Sequence, residues 1–168
     1  MKRILLAAAL ASTAAALLAT TMSASAHSVT ACRASNLQGH LTGSSGAAGT
    51  LLVRLTVTNT GSSACTLYGH PGLQLIAPSG AHLRTHVVHG GFSILNRPAH
   101  LVTLAHGKQA SLLVTYSDIP VNGQRTCPKG SAIDILLSSG AVRVAAQTQA
   151  CSGGTLHEAA WARGKPAV

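Results

Sequence analysis

Acidic and aromatic residues are the scarcest classes in this sequence of 168 residues. It has three acidic residues, and its aromatic residues are one Trp, two Tyr and one Phe. The carboxylates of Asp118, Asp134 and Glu158 are far apart in sequence, so no pair is indicated for acid–base catalysis of the glycosidase kind. The basic residues are spread singly, without the clustering or the interleaved stacking rings that favour nucleic-acid binding. We therefore expect no nucleic-acid partner.

Other catalytic patterns are also missing from the sequence. There is no G-x-S-x-G elbow, no Gly-rich phosphate loop and no C-x-x-C pair. His157-Glu158 begins like the zinc motif H-E-x-x-H, but Trp161 stands where the second histidine belongs. These absences predict that the protein is not an enzyme and needs no cofactor.

A long apolar run occurs only near the N-terminus. Met1-Lys2-Arg3 precedes an apolar core at 4–19 and an A-x-A site at 24–26, which is the pattern of a secretory signal peptide. We therefore predict a signal peptide at 1–26 and a mature chain that begins at His27. No later stretch is long and apolar enough for a transmembrane segment, so the predicted location is secreted, at or outside the cell envelope.

An alternative concerns the first of the four cysteines. Val29-Thr30-Ala31-Cys32 loosely resembles a lipoprotein box, in which Cys32 would be acylated. Polar residues separate it from the apolar core, and acylation would leave an odd number of cysteines for pairing. We therefore favour two disulfides, which are typical of exported domains.

The cysteine pairing follows from a predicted hairpin. Segments 133–137 and 142–146 both alternate, and a two-residue turn at Ser139-Gly140 would place Cys127 opposite residue 152. A bulge or a loose end would bring Cys127 to Cys151. The predicted disulfides are therefore Cys127–Cys151 and, by elimination, Cys32–Cys65.

The segment from Thr50 to Leu75 is central to the predicted fold. Leu51, Val53, Leu55 and Val57 alternate with polar residues, which predicts a strand with one buried and one solvated face. Further short alternating segments follow, with frequent turn residues between them. The pattern predicts an all-β fold, an immunoglobulin-like antiparallel β-sandwich of about seven to eight strands.

The two ends of the predicted mature chain lack the alternating strand pattern of its middle. Residues 27–48 are polar and loop-like, with a Gly-Ser-rich patch at 43–46. Near the other end, Thr155-x-x-Glu158 resembles a helix capping box after a Gly153-Gly154 hinge. We therefore predict a disulfide-stapled domain at 27–152 and a flexible or short helical tail at 153–168.

Histidine is the one abundant residue type with a metal-ligating side chain, with nine copies in the sequence. Most are interpreted as polar surface, but cleavage before His27 would leave an imidazole beside a free amine, as in a copper site. His82, His86 and His89 lie near one another in sequence and are further candidate ligands. Metal binding through these four residues is the alternative interpretation, with no metal site as the favoured one.

Part of the sequence resembles a known family. The strand ending in Asn59-Thr60-Gly61, then Cys65-Thr66-Leu67 and the turn at 69–72, are similar to domain-of-unknown-function family 4232. His70 stands where that family usually has an aromatic residue. The resemblance covers about residues 32–151, implies a secreted β-sandwich of actinobacterial type, and transfers no catalytic or binding residue.

The favoured interpretation is an exported, non-enzymatic binding or structural module. Without Lys2 and Arg3 the chain has ten basic and three acidic residues, a net charge of +7. In an exported protein such a charge favours weak attraction to an anionic cell-wall polymer. The partner classes considered are therefore cell-wall polymer and another exported protein.

Overall fold

The computed structural model describes residues 29–120 and 123–168, which form mostly β-strand. Two single turns of 3-10 helix, Ala34–Asn36 and Ser93–Leu95, also occur. The prediction of an all-β fold is confirmed, but the described residues form eleven strands instead of the expected seven to eight. In chain order they are β1 (Leu37–Ala47), β2 (Thr50–Asn59), β3 (Cys65–Tyr68), β4 (Gly72–Ile76), β5 (His86–His89), β6 (Leu101–Leu104), β7 (Gln109–Ser117), β8 (Lys129–Leu137), β9 (Gly140–Gln149), β10 (Thr155–Glu158) and β11 (Ala162–Arg163).

The strands form three sheets around one core. The largest has the order β1-β2-β7-β10-β5, with β11 also pairing with β7, and the others are β4-β8-β9 and β3-β6. The pairing of β5 with β10 is parallel, and the other ladders between these strands are antiparallel. Buried side chains of all three sheets, including Leu55, Leu104 and Ile133, belong to one apolar cluster. The sheets therefore pack face to face as a sandwich.

Strand β2 lies inside the largest sheet, between β1 and β7. Val53, Leu55 and Val57 are buried on the core side. The opposite face is less solvated than predicted, because Thr56 is fully buried as well. Its hydroxyl lies 2.8 Å from the Ser111 hydroxyl, which in turn donates a hydrogen bond to the Gly164 carbonyl. The C-terminal segment therefore covers this face of the sheet.

The first part of the domain is a strand where the sequence predicted a loop. Strand β1 pairs with β2 from Leu37 opposite Asn59 to Ala47 opposite Thr50. Main-chain pairing along a regular neighbour needs no particular side chain, so a Gly-Ser-rich segment can extend the sheet. At Gly39 a Cβ atom would lie 2.7 Å from Val144 Cγ2, so glycine permits the close approach of β1 to β9.

Both predicted disulfides are present in the structure, Cys32–Cys65 and Cys127–Cys151. The hairpin between β8 and β9 differs from the prediction, since Leu137 pairs with Gly140 and the turn residues are 138 and 139. A bulge between Gly130 and Ala132 then shifts the register by one residue. That shift brings the strand ends together so that Cys127 reaches Cys151.

The prediction for the tail at 153–168 is wrong. Thr155–Glu158 form strand β10 between β7 and β5, and Leu156 and Trp161 are 0% and 1% exposed. A helix of this length is marginal on its own, whereas the sheet offers hydrogen-bond partners on both sides. The folded domain therefore continues beyond residue 152 and includes this segment.

Two sequence predictions concern the N-terminus. The predicted signal peptide at 1–26 and its neighbour His27 lie outside the described residues. Within the described ranges, no helix has the length and apolar character needed to cross a membrane.

Candidate functional site

Three side chains with metal-ligating atoms meet at one edge of the largest sheet. His70 lies in the turn between β3 and β4, His89 is the last residue of β5, and Glu158 is the last residue of β10. One ligating atom from each lies within 4.8 Å of the others. We call these three residues the His70–His89–Glu158 cluster.

The backbone holds the three residues in place. Glu158 and His89 are direct partners in the parallel ladder of β10 and β5, and the Gly90 N–H donates to the Glu158 carbonyl at 2.8 Å. The turn that carries His70 is fixed from the other side, because the Trp161 N–H donates to the Gly69 carbonyl at 3.0 Å. Gly69 has φ +68°, a left-handed conformation that favours glycine. The cluster is therefore built from well-ordered backbone contacts.

Glu158 is the central group of the cluster. Its side chain is 0% exposed, and its Oε1 atom lies 3.0 Å from His89 Nδ1 and 3.6 Å from His70 Nδ1. Burial disfavours the charged carboxylate and raises its pKa to about 8. A buried carboxyl group of this kind gains stability from any cation or donor that reaches it.

Two buried atoms of the cluster lack a hydrogen-bond partner among the described residues. They are Glu158 Oε2 and His70 Nδ1. The His70 ring lies against the His89 ring, with 4.4 Å between centroids. Burial, and then the nearby His89, lower the pKa of His70 and so favour its neutral form. A neutral imidazole nitrogen is a ligand for transition metals.

The structure separates the predicted metal candidates. His89 belongs to the cluster, whereas His86 lies at the other end of β5, opposite Thr155, and is exposed. His82 is exposed and forms an isolated bridge with Ile76 near β4. His27 lies outside the described residues. Among the described residues, the structure therefore does not bring His82 and His86 together with His89.

Sequence reasoning missed two members of the cluster. In the sequence, His70 stands in a turn, at a position where the family usually has an aromatic residue, and Glu158 fits a helix capping box. The alternation of Leu156 and Glu158 with Thr155 and His157 was the available signal, because residues two apart share a face of a strand and Leu156 and Glu158 are both buried. No local signal placed His70 beside residues so distant in sequence.

The donor set limits the chemistry of the cluster. Two imidazole nitrogens and one carboxylate oxygen suit a borderline transition-metal ion. The Asp134 carboxylate is elsewhere, where it accepts two hydrogen bonds from Arg143 at 2.8 and 2.9 Å. Glu158 therefore supplies the single carboxylate of the cluster. One carboxylate with two imidazoles is compatible with a metal site, and also with a buried contact between the carboxyl group and a histidine.

Comparison with known proteins identifies the family of the chain. No curated protein and no solved structure matches it. The family model of a domain of unknown function, DUF4232, matches residues 32–162. This span begins at the first cysteine of the domain, includes all four cysteines and the whole cluster, and covers most of the chain. The chain therefore belongs to the DUF4232 family, as the resemblance of its motifs indicated.

Proposed function

We propose that the protein is an exported, non-enzymatic module that binds an anionic polymer at the cell envelope. The observation that carries this proposal is the charge of the surface. All three carboxylates lie in the described part of the chain, and none of them is exposed. Eight basic side chains are exposed: Arg33, Arg84, Lys108, Arg125, Lys129, Arg143, Arg163 and Lys165.

Each carboxylate is withdrawn from solvent in a different way. Glu158 is fully buried, and Asp134 is 8% exposed and paired with Arg143. Asp118 is half-buried, with its Oδ1 atom shielded from solvent. The surface therefore presents positive side chains with almost no acidic neighbours. Such a field attracts polyanions and repels cationic partners.

A shallow depression offers a place for contact with such a polymer. It has a volume of about 640 Å³ and is lined by two cationic side chains, Lys108 and Arg163, together with Gln109 and Thr103. Cations and neutral hydrogen-bonding groups together suit a phosphate- or carboxylate-bearing chain. We assign the closest polymer contact to this depression.

Two features of the fold support export and a non-enzymatic role. The two disulfides support export, because such bonds persist in oxidising compartments. The separation of Asp118, Asp134 and Glu158 supports a non-enzymatic role, because each lies in a different part of the fold. The intact mass of protein recovered from the medium tests export, with a chain beginning at His27 as the expected result.

The binding experiment uses a labelled poly(glycerol phosphate) chain and fluorescence anisotropy. We expect binding at 0.05 M NaCl that is largely lost at 0.5 M, because added salt screens contacts between exposed charges. Lys108→Gln with Arg163→Gln should weaken binding more than Arg33→Gln with Arg125→Gln, a control that removes the same charge elsewhere. Equal binding of neutral dextran, or binding that salt does not weaken, would contradict the proposal.

Another exported protein is the second partner class that the sequence suggests, and the charge of this surface favours an acidic one. It would use the same positive surface, but it would require a specific fit as well as charge. If the polymer does not bind at low salt, the proposal of a polymer-binding module fails. The metal alternative based on His27 involves a different part of the chain and is not needed for polymer binding.

A further inference from the structure

We propose that the His70–His89–Glu158 cluster is a binding site for one divalent transition-metal ion of the Zn(II) type. This inference is independent of the proposed polymer binding. It differs from the metal site suggested by the sequence, because it uses neither His27 nor His82 nor His86. Three arguments support it: the spacing of the ligating atoms, the unpartnered buried atoms and the chemistry of the donors.

Two of the three spacings in the cluster are close to those of a tetrahedral site. With Zn–N and Zn–O bonds of about 2.0–2.1 Å, two ligating atoms of a tetrahedron are about 3.4 Å apart. Glu158 Oε1 lies 3.0 Å from His89 Nδ1 and 3.6 Å from His70 Nδ1, on either side of that value. All ligating atoms of the cluster lie within 4.8 Å of one another. A metal ion between the three atoms therefore requires the imidazole rings to rotate so that their ligating nitrogens approach each other.

The contact of Glu158 with His89 explains only part of the cluster. That contact gives a partner to Glu158 Oε1 but leaves Glu158 Oε2 and His70 Nδ1 unpartnered among the described residues. An unpartnered polar atom in a protein interior is costly, and Glu158 is completely buried. A cation placed between the ligating atoms would satisfy His70 Nδ1 and neutralise the carboxylate.

The donors select the class of metal ion. Imidazole nitrogen suits Zn(II) and Cu(II), whereas Mg(II) and Ca(II) prefer sites composed of oxygen atoms. Three protein ligands leave one position of a tetrahedron open. His89 forms the solvent side of the cluster, since its side chain is 60% exposed and that of His70 is 23% exposed. Solvent can therefore reach the open position, and a metal ion can enter from the same side.

The test is a Zn(II) titration of the purified protein, with a chelator to measure tight binding. We expect one Zn(II) per chain, and at least about tenfold weaker binding in each of Glu158→Gln, His89→Gln and His70→Phe, since each removes one of three ligands. His86→Gln is the matched control, because His86 lies on the same strand as His89 but outside the cluster. It should bind Zn(II) like the unmodified protein, and Mg(II) should not compete.

The variants also guard against a failure of folding. Glu158→Gln keeps the shape and a hydrogen-bonding side chain at this buried position, so the folded variant should lose the metal without losing its circular dichroism spectrum. X-ray absorption of the zinc-loaded protein should show two imidazoles in the first coordination shell. The proposal is overturned if Zn(II) does not bind, if Glu158→Gln binds it equally well, or if one extra residue before His27 abolishes binding.

Discussion

Glu158 Oε1 lies 3.0 Å from His89 Nδ1, and the two residues are direct partners in the parallel ladder of β10 and β5. The ladder joins a fully buried carboxyl group to a largely exposed imidazole. A sheet register therefore sets the position of an ionisable group inside the protein. Because burial changes the protonation equilibrium of Glu158, the stability of the fold depends on pH.

The first prediction concerns stability between pH 6.5 and 8 in the presence of EDTA. Burial raises the pKa of Glu158 from 4.5 to about 8, so in this range the folded protein keeps a proton that the unfolded chain has released. The free energy of unfolding should therefore fall as pH rises, by up to about 1.4 kcal/mol per pH unit. Glu158→Gln should remove this slope, as measured by urea unfolding at several pH values.

His70 and His89 face the same carboxyl group and determine the choice of pH range. The pKa of His70 is lowered from 6.5, so its contribution to stability is lost as the pH falls below 6.5, which is the opposite trend. Above pH 6.5 this opposing contribution fades, so the slope increasingly reflects Glu158. A Glu158→Gln variant that keeps the full slope of the unmodified protein would show that another group causes it.

The second prediction concerns the C-terminal segment. Trp161→Ala should lower the free energy of unfolding by about 3–5 kcal/mol, because a large side chain that is 1% exposed would leave a cavity. Tyr68→Ala is the control, since Tyr68 is 68% exposed and its loss should cost less than about 0.5 kcal/mol. Truncation after Ser152 removes β10 and β11 as well, and should abolish cooperative thermal unfolding. A stable truncated domain would contradict this account.

Local patterns predicted the regular strands well and the contacts between distant segments poorly. The alternation of β2 and of the 133–146 hairpin follows from one buried face, which the sequence records directly. The observed turn alone would place Cys127 opposite residue 150 instead of 152, and the bulge moves it opposite Cys151, so the correct disulfide followed from an incorrect register. The helix predicted from Thr155-x-x-Glu158 is wrong for another reason. The helix signal is local, whereas the strands that pair with this segment, β5 and β7, are distant in sequence.

The candidate site was less predictable than the fold. His70 and Glu158 are 88 positions apart, and no periodicity relates a turn residue to the end of a late strand. Their meeting depends on the Trp161 N–H bond to the Gly69 carbonyl and on the parallel pairing of β10 with β5. Both are tertiary contacts, so a single sequence contains the residues of the site but not their arrangement.

The third prediction concerns the two disulfides. They close loops with sequence separations of 33 and 24, for which restriction of the unfolded chain corresponds to about 3–4 kcal/mol each. Replacing either pair with alanine should lower the urea midpoint accordingly. A loss below about 1 kcal/mol would contradict the chain-entropy argument.

The last prediction compares two neighbouring glycines, Gly153 and Gly154, which lead into β10. Both have left-handed backbones, with φ +72° and +81°, so an alanine at either should cost about 1–2 kcal/mol in strain. At Gly154 a Cβ atom would also collide with the carbonyl oxygen of Arg84, whereas at Gly153 it would meet nothing within 4 Å. Gly154→Ala should therefore destabilise the protein more than Gly153→Ala, the matched control.

The collision at Gly154 should also disturb the ladder that positions Glu158. The Gly154 carbonyl accepts a hydrogen bond of 3.0 Å from the His86 N–H, at the start of the pairing of β10 with β5. At the far end, the Gly90 N–H donates to the Glu158 carbonyl. Hydrogen exchange of the Gly90 amide should therefore accelerate in Gly154→Ala and change much less in Gly153→Ala. Equal exchange in the two variants would mean that the clash is relieved locally, without displacement of β10 from β5.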